Sequence, residues 1–248
     1  MRRSLVVVLA ALVALAAALV ATAPATLAGA TLERVSNGTL ALANAEGTVW
    51  RGQATLTAAR ALRLPVAWSI QPWPLLRGEL RVDVVAPAGT SRAPRAVIVA
   101  SHGAAALREL DMTIPAEIVP ALAPRSGIRV TGDARIVASS LEWTPTTLTG
   151  GARIDWQDAQ FAIAVDPAIR LGTVSAVLTA AGDRLTGPVT NTGGAFDVRG
   201  TLSLAASGAP NVAISLTPRG GDPAQARSLT VATGPGGNWT VDYRAGSP

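Results

Sequence analysis

The stretch Leu148-Thr-Gly-Gly-Ala-Arg-Ile-Asp155 contains the pattern on which most of the chain is built. In a β-strand, successive side chains point to opposite faces, so residues two positions apart lie on the same face. One face would therefore carry Leu148, Gly150, Ala152 and Ile154, and the other would carry Thr149, Gly151, Arg153 and Asp155. The stretch predicts a half-buried strand with one apolar face and one charged face.

Three further stretches follow the same pattern. Residues 76–83 and 130–136 both have an apolar residue, a glycine two positions later, and then Ala or Leu, Arg, and Val or Ile; residues 198–204 keep the glycine but not the arginine. The recurring glycines are Gly78, Gly132, Gly150 and Gly200. A glycine on the apolar face allows a sheet to bend or a neighbouring backbone to come close. The repeats predict a mainly β fold, a curled antiparallel sheet of the meander or open barrel-like kind.

Alternating stretches separated by turn residues, such as Asn191-Thr-Gly-Gly194, continue along the chain. Strands are predicted at residues 39–59, 64–78 (a strand and a corner that leads into the next strand), 76–83, 96–100, 130–136, 141–143, 148–155, 171–180, 185–189, 195–204, 212–216 and 239–243. Two short helices are predicted at residues 113–124 and 222–229, where a capping residue precedes an early proline. No sharp change of composition divides residues 39–248, so we expect one continuous sheet.

Tryptophans mark the first two of these strands. In the first, Trp50 and Gly52 are expected on one face, with Val49 and Arg51 on the other. The second contains three prolines, which are not tolerated in a central ladder and predict a corner before the next strand. We expect Trp68 and Trp73 to pack across this corner.

The N-terminus has the features of a membrane anchor. Residues 1–4 contain Arg2 and Arg3, and residues 5–23 are nineteen positions without a charge. A helix of that length, at about 1.5 Å per residue, nearly matches a hydrocarbon core of roughly 30 Å. The positive-inside rule then predicts a cytoplasmic stub at 1–4, a transmembrane helix at 5–23, a linker at 24–38 and an exported β domain at 39–248. Removal as a signal peptide is the alternative, with cleavage after Ala23 or Ala30.

Composition narrows the classes of function. The net charge of +5 falls to +3 without Arg2 and Arg3, and the arginines are spread at strand spacing without an aromatic stacking platform, which argues against nucleic-acid binding. The chain has no cysteine, so disulfides and thiolate metal sites are excluded.

Residues suited to catalysis or metal binding are few. His102 is the single histidine and no nucleophile motif accompanies it, so we interpret it as a residue of a surface loop. Asp83, Asp155 and Asp158 are too dispersed for a calcium site and are interpreted as solvated charges of the outer face. The paired glycines match no phosphate-binding or dinucleotide fingerprint. We therefore predict no catalytic, cofactor or metal site and no enzymatic activity.

The order of these features resembles general secretion pathway protein N of the bacterial type II secretion system. The resemblance is closest over residues 47–78, from Gly47-Thr-Val-Trp-Arg-Gly-Gln-Ala54 to Leu75-Leu-Arg-Gly78, and extends to residues 141–156 and 216–219. Arg51 departs from it, since a small polar residue is expected there. Its motif residues are structural rather than chemical: Gly47, Trp50, Gly52, Trp68, Gly78, Gly132, Trp143, Gly150 and Gly200.

The resemblance implies an accessory protein of the inner membrane, single-pass, with most of the chain in the periplasm beside the platform proteins that export folded proteins. Contacts would be made through a sheet edge or the polar outer face, since strand addition needs only exposed backbone groups. The alternative is a periplasmic protein that binds lipid or another hydrophobic ligand, because a curled sheet with few bulky side chains could leave an apolar groove.

Overall fold

The computed structural model describes residues 21–38, 40–58, 62–87, 94–117, 128–163, 168–205, 210–220, 227–233 and 239–245. Within these residues the helices are α1 (Ala25–Val35) and α2 (Pro72–Leu75). The strands are β1 (Leu40–Gly47), β2 (Arg51–Ala58), β3 (Leu62–Gln71), β4 (Leu80–Val85), β5 (Arg95–Ser101), β6 (Ala104–Pro115), β7 (Ile128–Trp143), β8 (Leu148–Ile163), β9 (Ile169–Ala181), β10 (Arg184–Thr192), β11 (Phe196–Ala205), β12 (Pro210–Pro218), β13 (Arg227–Thr233) and β14 (Trp239–Ala245).

All of these strands form one antiparallel sheet in which the spatial order equals the chain order. Each strand from β2 to β13 is paired with the strand before it and the strand after it, as expected for a meander. Among the described residues no pairing joins β1 to β14, so the sheet is open. The prediction of a mainly β, antiparallel fold with two short helices is confirmed.

The positions of the two predicted helices are wrong where they can be compared. Residues 113–115 belong to β6, which pairs with β7 as far as Pro115, and residues 227–229 belong to β13. Residues 116–117 form a turn, and residues 118–124 and 222–226 of the predicted helices lie outside the described residues. The observed helices instead occupy the predicted linker and the proline-rich corner.

Residues 1–20, which include the predicted cytoplasmic stub and nearly all of the predicted transmembrane helix, lie outside the described residues. Neither helix in the described part of the chain is long and apolar enough to span a membrane. Residues 24–38, predicted to be a linker, contain α1, whose Ala25 and Gly29 are buried.

The main core lies on one face of β8 to β12. Its buried residues are Ala159, Phe161, Leu171, Val174, Ala176, Leu178, Leu185, Val189, Val198 and Leu216. The alternation predicted for residues 148–155 is confirmed, because Ala152 and Ile154 pair in register with the buried Leu178 and Ala176. A second, smaller cluster of Ala25, Ala54 and Trp68 lies between α1 and the first strands.

A row of irregular pairings bends the sheet across β7, β8 and β9. The register shifts on both sides of Asp158, next to Gly132 on β7 and Gly172 on β9. All three residues have positive φ, at 114° for Gly132, 49° for Asp158 and 78° for Gly172. Farther along, β9 and β11 make contacts across β10, although strands two places apart in a flat sheet lie about 9.5 Å from each other. The sheet is therefore curled, as the recurring glycines predict.

Candidate interaction surfaces

The tryptophan motif of residues 47–54 is built around Trp68. Its indole Nε1 donates a hydrogen bond of 2.9 Å to the carbonyl of Val49, and the residue is 9% exposed. The six-membered part of the ring lies on Gly52, where a Cβ atom would overlap the ring and lie 2.7 Å from the carbonyl oxygen of Glu46. A residue larger than glycine does not fit at position 52, because the ring of Trp68 occupies the space that its side chain would need.

Gly47 and Trp50 shape the turn above this ring. Gly47 has a φ of 91° and pairs with Gly52, and a Cβ atom on it would lie 2.6 Å from the carbonyl oxygen of Arg51. Trp50 lies in the turn and not in a strand, which corrects the predicted alternation of residues 49–52. Its carbonyl accepts a hydrogen bond of 2.7 Å from the amide of Ile70. The turn is thereby attached to the end of β3.

The other motif residues do not join this cluster. Gly132 lies under a second tryptophan, Trp156, whose Nε1 donates a 3.0 Å hydrogen bond to the carbonyl of Thr131. Gly150 and Gly200 each face the backbone of the neighbouring strand, at Ser140 and Ala213 respectively. These glycines lie at close backbone approaches, which agrees with their predicted use. Gly78 is in the open turn after α2, and Trp143 is 41% exposed at the end of β7.

Asn191 is a structural centre that the sequence patterns did not identify as more than a turn residue. Its amide nitrogen donates to the carbonyls of Leu171 at 2.6 Å and Phe196 at 2.9 Å, and also to Gly193. Its amide oxygen accepts from the amide of Val198 at 2.8 Å and from Arg219 at 3.1 Å. One side chain thus links β9, β10 and β11 to the turn after β12, at the border of the main core.

The outer face carries a set of internally paired charges. Arg135 donates to Asp111 across β6 and β7 at 2.9 and 2.6 Å, and Arg153 donates to Asp155 at 2.7 Å. The hydrogen bond from Arg153, the hydroxyl of Ser175 and the charge of Arg135 together hold the pKa of Asp155 below its ordinary value. The further pairs are Arg81–Asp83, Arg95–Glu109, Arg108–Glu142, Arg184–Asp183, Arg199–Asp197 and Arg219–Asp197.

The residues considered in the sequence as candidates for catalysis or metal binding lie apart from one another in the described structure. His102 is exposed in the turn between β5 and β6, as interpreted from the sequence. The described part of the chain brings no three metal-ligating side chains together. Asp83 and Asp155 are partly exposed and hydrogen-bonded, to Gln71 and to Ser175 respectively, and Asp158 is exposed in its bulge.

The proline corner differs from its prediction. Trp68 is buried, but Trp73 is 77% exposed and does not pack on it, because Pro72 to Leu75 form a helical turn that directs the chain away from β3. Leu76, in the following turn, is 80% exposed. Between them lies a shallow pocket of about 310 Å³, lined by Gln71, Trp73, Pro74, Leu76, Arg77 and Glu79. The proline corner therefore lies on the surface of the protein and is not part of the core.

The edge formed by β1 is blocked in three ways. At its start the amide and carbonyl of Leu40 are both bonded to the hydroxyl of Ser36, each at 3.1 Å. In its middle Asn44 has a φ of 53° and interrupts the register with β2. At its end Thr48 pairs with Pro24. Such irregularities and covers are how proteins protect an edge strand from further pairing.

The opposite edge, β14, is regular. Residues 239–245 pair with β13 without a shift of register, from Trp239 with Thr233 to Ala245 with Arg227. In the described residues no strand lies on its other side. Its alternate amides and carbonyls therefore point away from the sheet, where an extended segment of another chain could pair with them.

Comparison with models of known protein families identifies a match. A family model described as "Type II secretion system (T2SS), protein N" matches residues 38–238, which include all nine motif residues. Neither the curated proteins nor the solved structures contain a significant match.

Proposed function

The chain belongs to the type II secretion system protein N family, and we propose on this basis that it is an accessory module anchored in the inner membrane. In this proposal residues 5–23 span the membrane and residues 39–248 lie in the periplasm. The module acts by contacting other proteins of the secretion machine, among them the platform proteins of the inner membrane. It carries out no chemical reaction of its own.

The unequal edges of the sheet are the observation that supports this role. A contact by strand addition needs unpaired backbone groups in a regular strand, and β14 offers them while β1 is blocked. We propose that β14 receives an extended segment from a partner protein of the secretion machine.

The outer face is a weaker candidate for the contact. Its arginines at positions 81, 95, 108, 135, 153, 184, 199 and 219 already have carboxylate partners in the same chain. A charged partner would have to compete with these pairs, so electrostatic complementarity offers less there than strand pairing offers at β14.

Photocross-linking in secreting cells tests this proposal. Thr240 and Asp242 of β14 are replaced one at a time by a photoreactive phenylalanine, and Asn44 and Glu46 of β1 are the matched control positions. We expect adducts with a protein of the secretion machine from the β14 positions and not from the β1 positions. If variants that support secretion give equal adducts from both edges, or give none from β14, the proposed contact is wrong.

A further inference from the structure

The N-terminal segment reaches the sheet at one particular rim. In an antiparallel meander, the turns β1–β2, β3–β4, β5–β6, β7–β8 and β9–β10 all lie along the same rim. Ala23 accepts a hydrogen bond of 2.9 Å from the amide of Val49, and Pro24 pairs with Thr48, both in the β1–β2 turn. The uncharged run of residues 5–23 therefore ends at this rim.

The same rim carries exposed apolar side chains. Trp73 and Leu76 are the most exposed of them, and Leu75, Leu80 and Trp143 are each between 37% and 41% exposed. Large apolar side chains grouped on a surface indicate a contact with another protein or with a membrane. Here they stand beside the end of an apolar segment long enough to cross a bilayer.

The distance between the two features is short. The carbonyl of Trp50 in the β1–β2 turn accepts a 2.7 Å hydrogen bond from Ile70, two residues before α2 begins. Four neighbouring strands, β1 to β4, extend over about 15 Å at roughly 4.8 Å per spacing. The proline corner with Trp73 is thus close enough to the end of residues 5–23 to contact the same membrane surface.

The corner is held in shape. The amide of Gly78 donates to Leu75 at 3.0 Å, the amide of Glu79 donates to Pro74 at 3.0 Å, and both prolines fix their own backbone angles. Trp73 and Leu76 are therefore presented outward without a large loss of conformational freedom on binding. Exposed Arg77 stands next to them, and tryptophan together with arginine is typical of the boundary between headgroups and acyl chains.

We propose that this rim rests on the phospholipid surface of the membrane, with Trp73 and Leu76 inserted at the boundary between headgroups and acyl chains. The inference rests on the membrane anchor of the proposed function and adds a second point of contact. Two contacts fix the orientation of the sheet, with the strands leading away from the membrane. One anchor alone would leave the domain free to rotate.

The absence of cysteine from the chain makes a site-specific test direct. Leu76→Cys and Ala195→Cys are prepared in the full chain; Ala195 is an exposed residue in the turn between β10 and β11, on the opposite rim. Both variants carry the same environment-sensitive fluorophore and are reconstituted in vesicles of phosphatidylethanolamine and phosphatidylglycerol. Quenching by nitroxide-labelled lipid reports burial in the bilayer, and quenching by iodide reports contact with water.

We expect the Leu76 label to be quenched at least threefold more by the lipid nitroxide than the Ala195 label, and to be correspondingly protected from iodide. Equal exposure of both labels to iodide, in protein that floats with the vesicles, overturns the membrane contact but leaves the anchor intact. Protein that does not float with the vesicles overturns the anchor of the proposed function as well. Protection from iodide that appears only when secretion proteins are added assigns the corner to a protein partner and overturns the inference.

Discussion

The two ends of the sheet bury their apolar faces by different means. The first strands use α1 as a cover and one large ring, so that the buried residues there are Ala25, Ala54 and Trp68. Strands β8 to β12 instead bury mainly aliphatic side chains against each other on a curled sheet. A sheet whose residues are mostly small can thus form a core either by recruiting a helix or by bending.

A tryptophan lying on a glycine nevertheless occurs both in the first strands and at the bend across β7 and β8. Trp68 lies on Gly52 and Trp156 on Gly132, and each indole donates a hydrogen bond to a backbone carbonyl. Trp68 is itself core, whereas Trp156 is only partly buried and lies where the register shifts beside a left-handed Asp158. A tryptophan packed on a glycine thus fills the core in the first strands and stabilises a bend across β7 and β8.

The largest effect is expected in the curled region. Leu178 is 1% exposed, and Leu178→Ala would remove its side chain from the centre of the main core. We expect a loss of about 2–5 kcal/mol in the free energy of unfolding, measured by urea denaturation. Val177→Ala is the matched control, since Val177 is 50% exposed on the opposite face, and it should cost about 0.5 kcal/mol. Similar losses in both variants would mean that this face is not a closed core.

The next effect concerns the link between strands. Asn191→Ala removes the donors to Leu171 and Phe196 and the acceptor for Val198. We expect a loss of about 2 kcal/mol in the free energy of unfolding, because the backbone groups left behind are partly buried. Asn211→Ala, at an exposed position of β12, should change it by less than about 0.5 kcal/mol. A cost for Asn191→Ala no greater than that of the control would contradict the assigned role.

A smaller effect is expected at the first tryptophan. Gly52→Ala should cost about 1–2 kcal/mol in unfolding free energy, because its new methyl group overlaps the ring of Trp68. Trp68→Phe lacks the overlapping ring atoms, so Gly52→Ala should cost about 0.5–1 kcal/mol less in that background. A double-mutant cycle measures the difference. An equal cost in both backgrounds would mean that the glycine is required for another reason, such as the nearby Glu46 carbonyl.

The smallest effect is expected on the outer face. The pKa of Asp155 is lowered in the folded chain by its bond to Arg153, so its stabilisation is complete above the unfolded pKa of about 3.9 and is lost as the pH falls through the folded value. Asp155→Asn should cost less than about 1 kcal/mol at neutral pH, and the variant and the parent should converge in strong acid. Urea midpoints measured at about pH 7 and at the lowest pH that leaves the chain folded test this. If the difference between the midpoints of variant and parent is the same at both pH values, the titration of Asp155 is not the cause of that difference.

The sequence predicted the sheet as a whole more accurately than it predicted strand β6 and helix α1. Alternation and recurring glycines identified one curled antiparallel sheet, because both signals come from local geometry. They missed β6, since Thr113-Ile-Pro-Ala-Glu117 has the local features of a helix start while residues 105–115 pair with β7, with an interruption at Glu109. Tertiary pairing overrides a local preference of this size. Helix α1 was missed because residues 24–38 lie between the predicted transmembrane helix and the predicted sheet and were interpreted as a linker.

The candidate surfaces were predictable only in part. The tryptophan motif of residues 47–54 was predicted to be structural, but the packing of the Trp68 ring on Gly52 depends on contacts between strands that the sequence does not show. Trp73 was expected inside and is outside, because a helical turn of two prolines aims it away from β3. The role of Asn191 depends on four segments that meet only in the folded sheet. No spacing in the sequence signals it.

The comparison of the two ends extends to their edges, where β1 is blocked and β14 is regular, and this difference is the basis of the proposed function. Amide hydrogen exchange of the membrane-reconstituted full chain, with and without the purified platform proteins of the secretion machine, tests it most directly. We expect amides of residues 239–245 to become protected when the partners are added, while those of residues 40–47 do not change. Protection confined to β1 or to the outer face, with β14 unchanged, would contradict it.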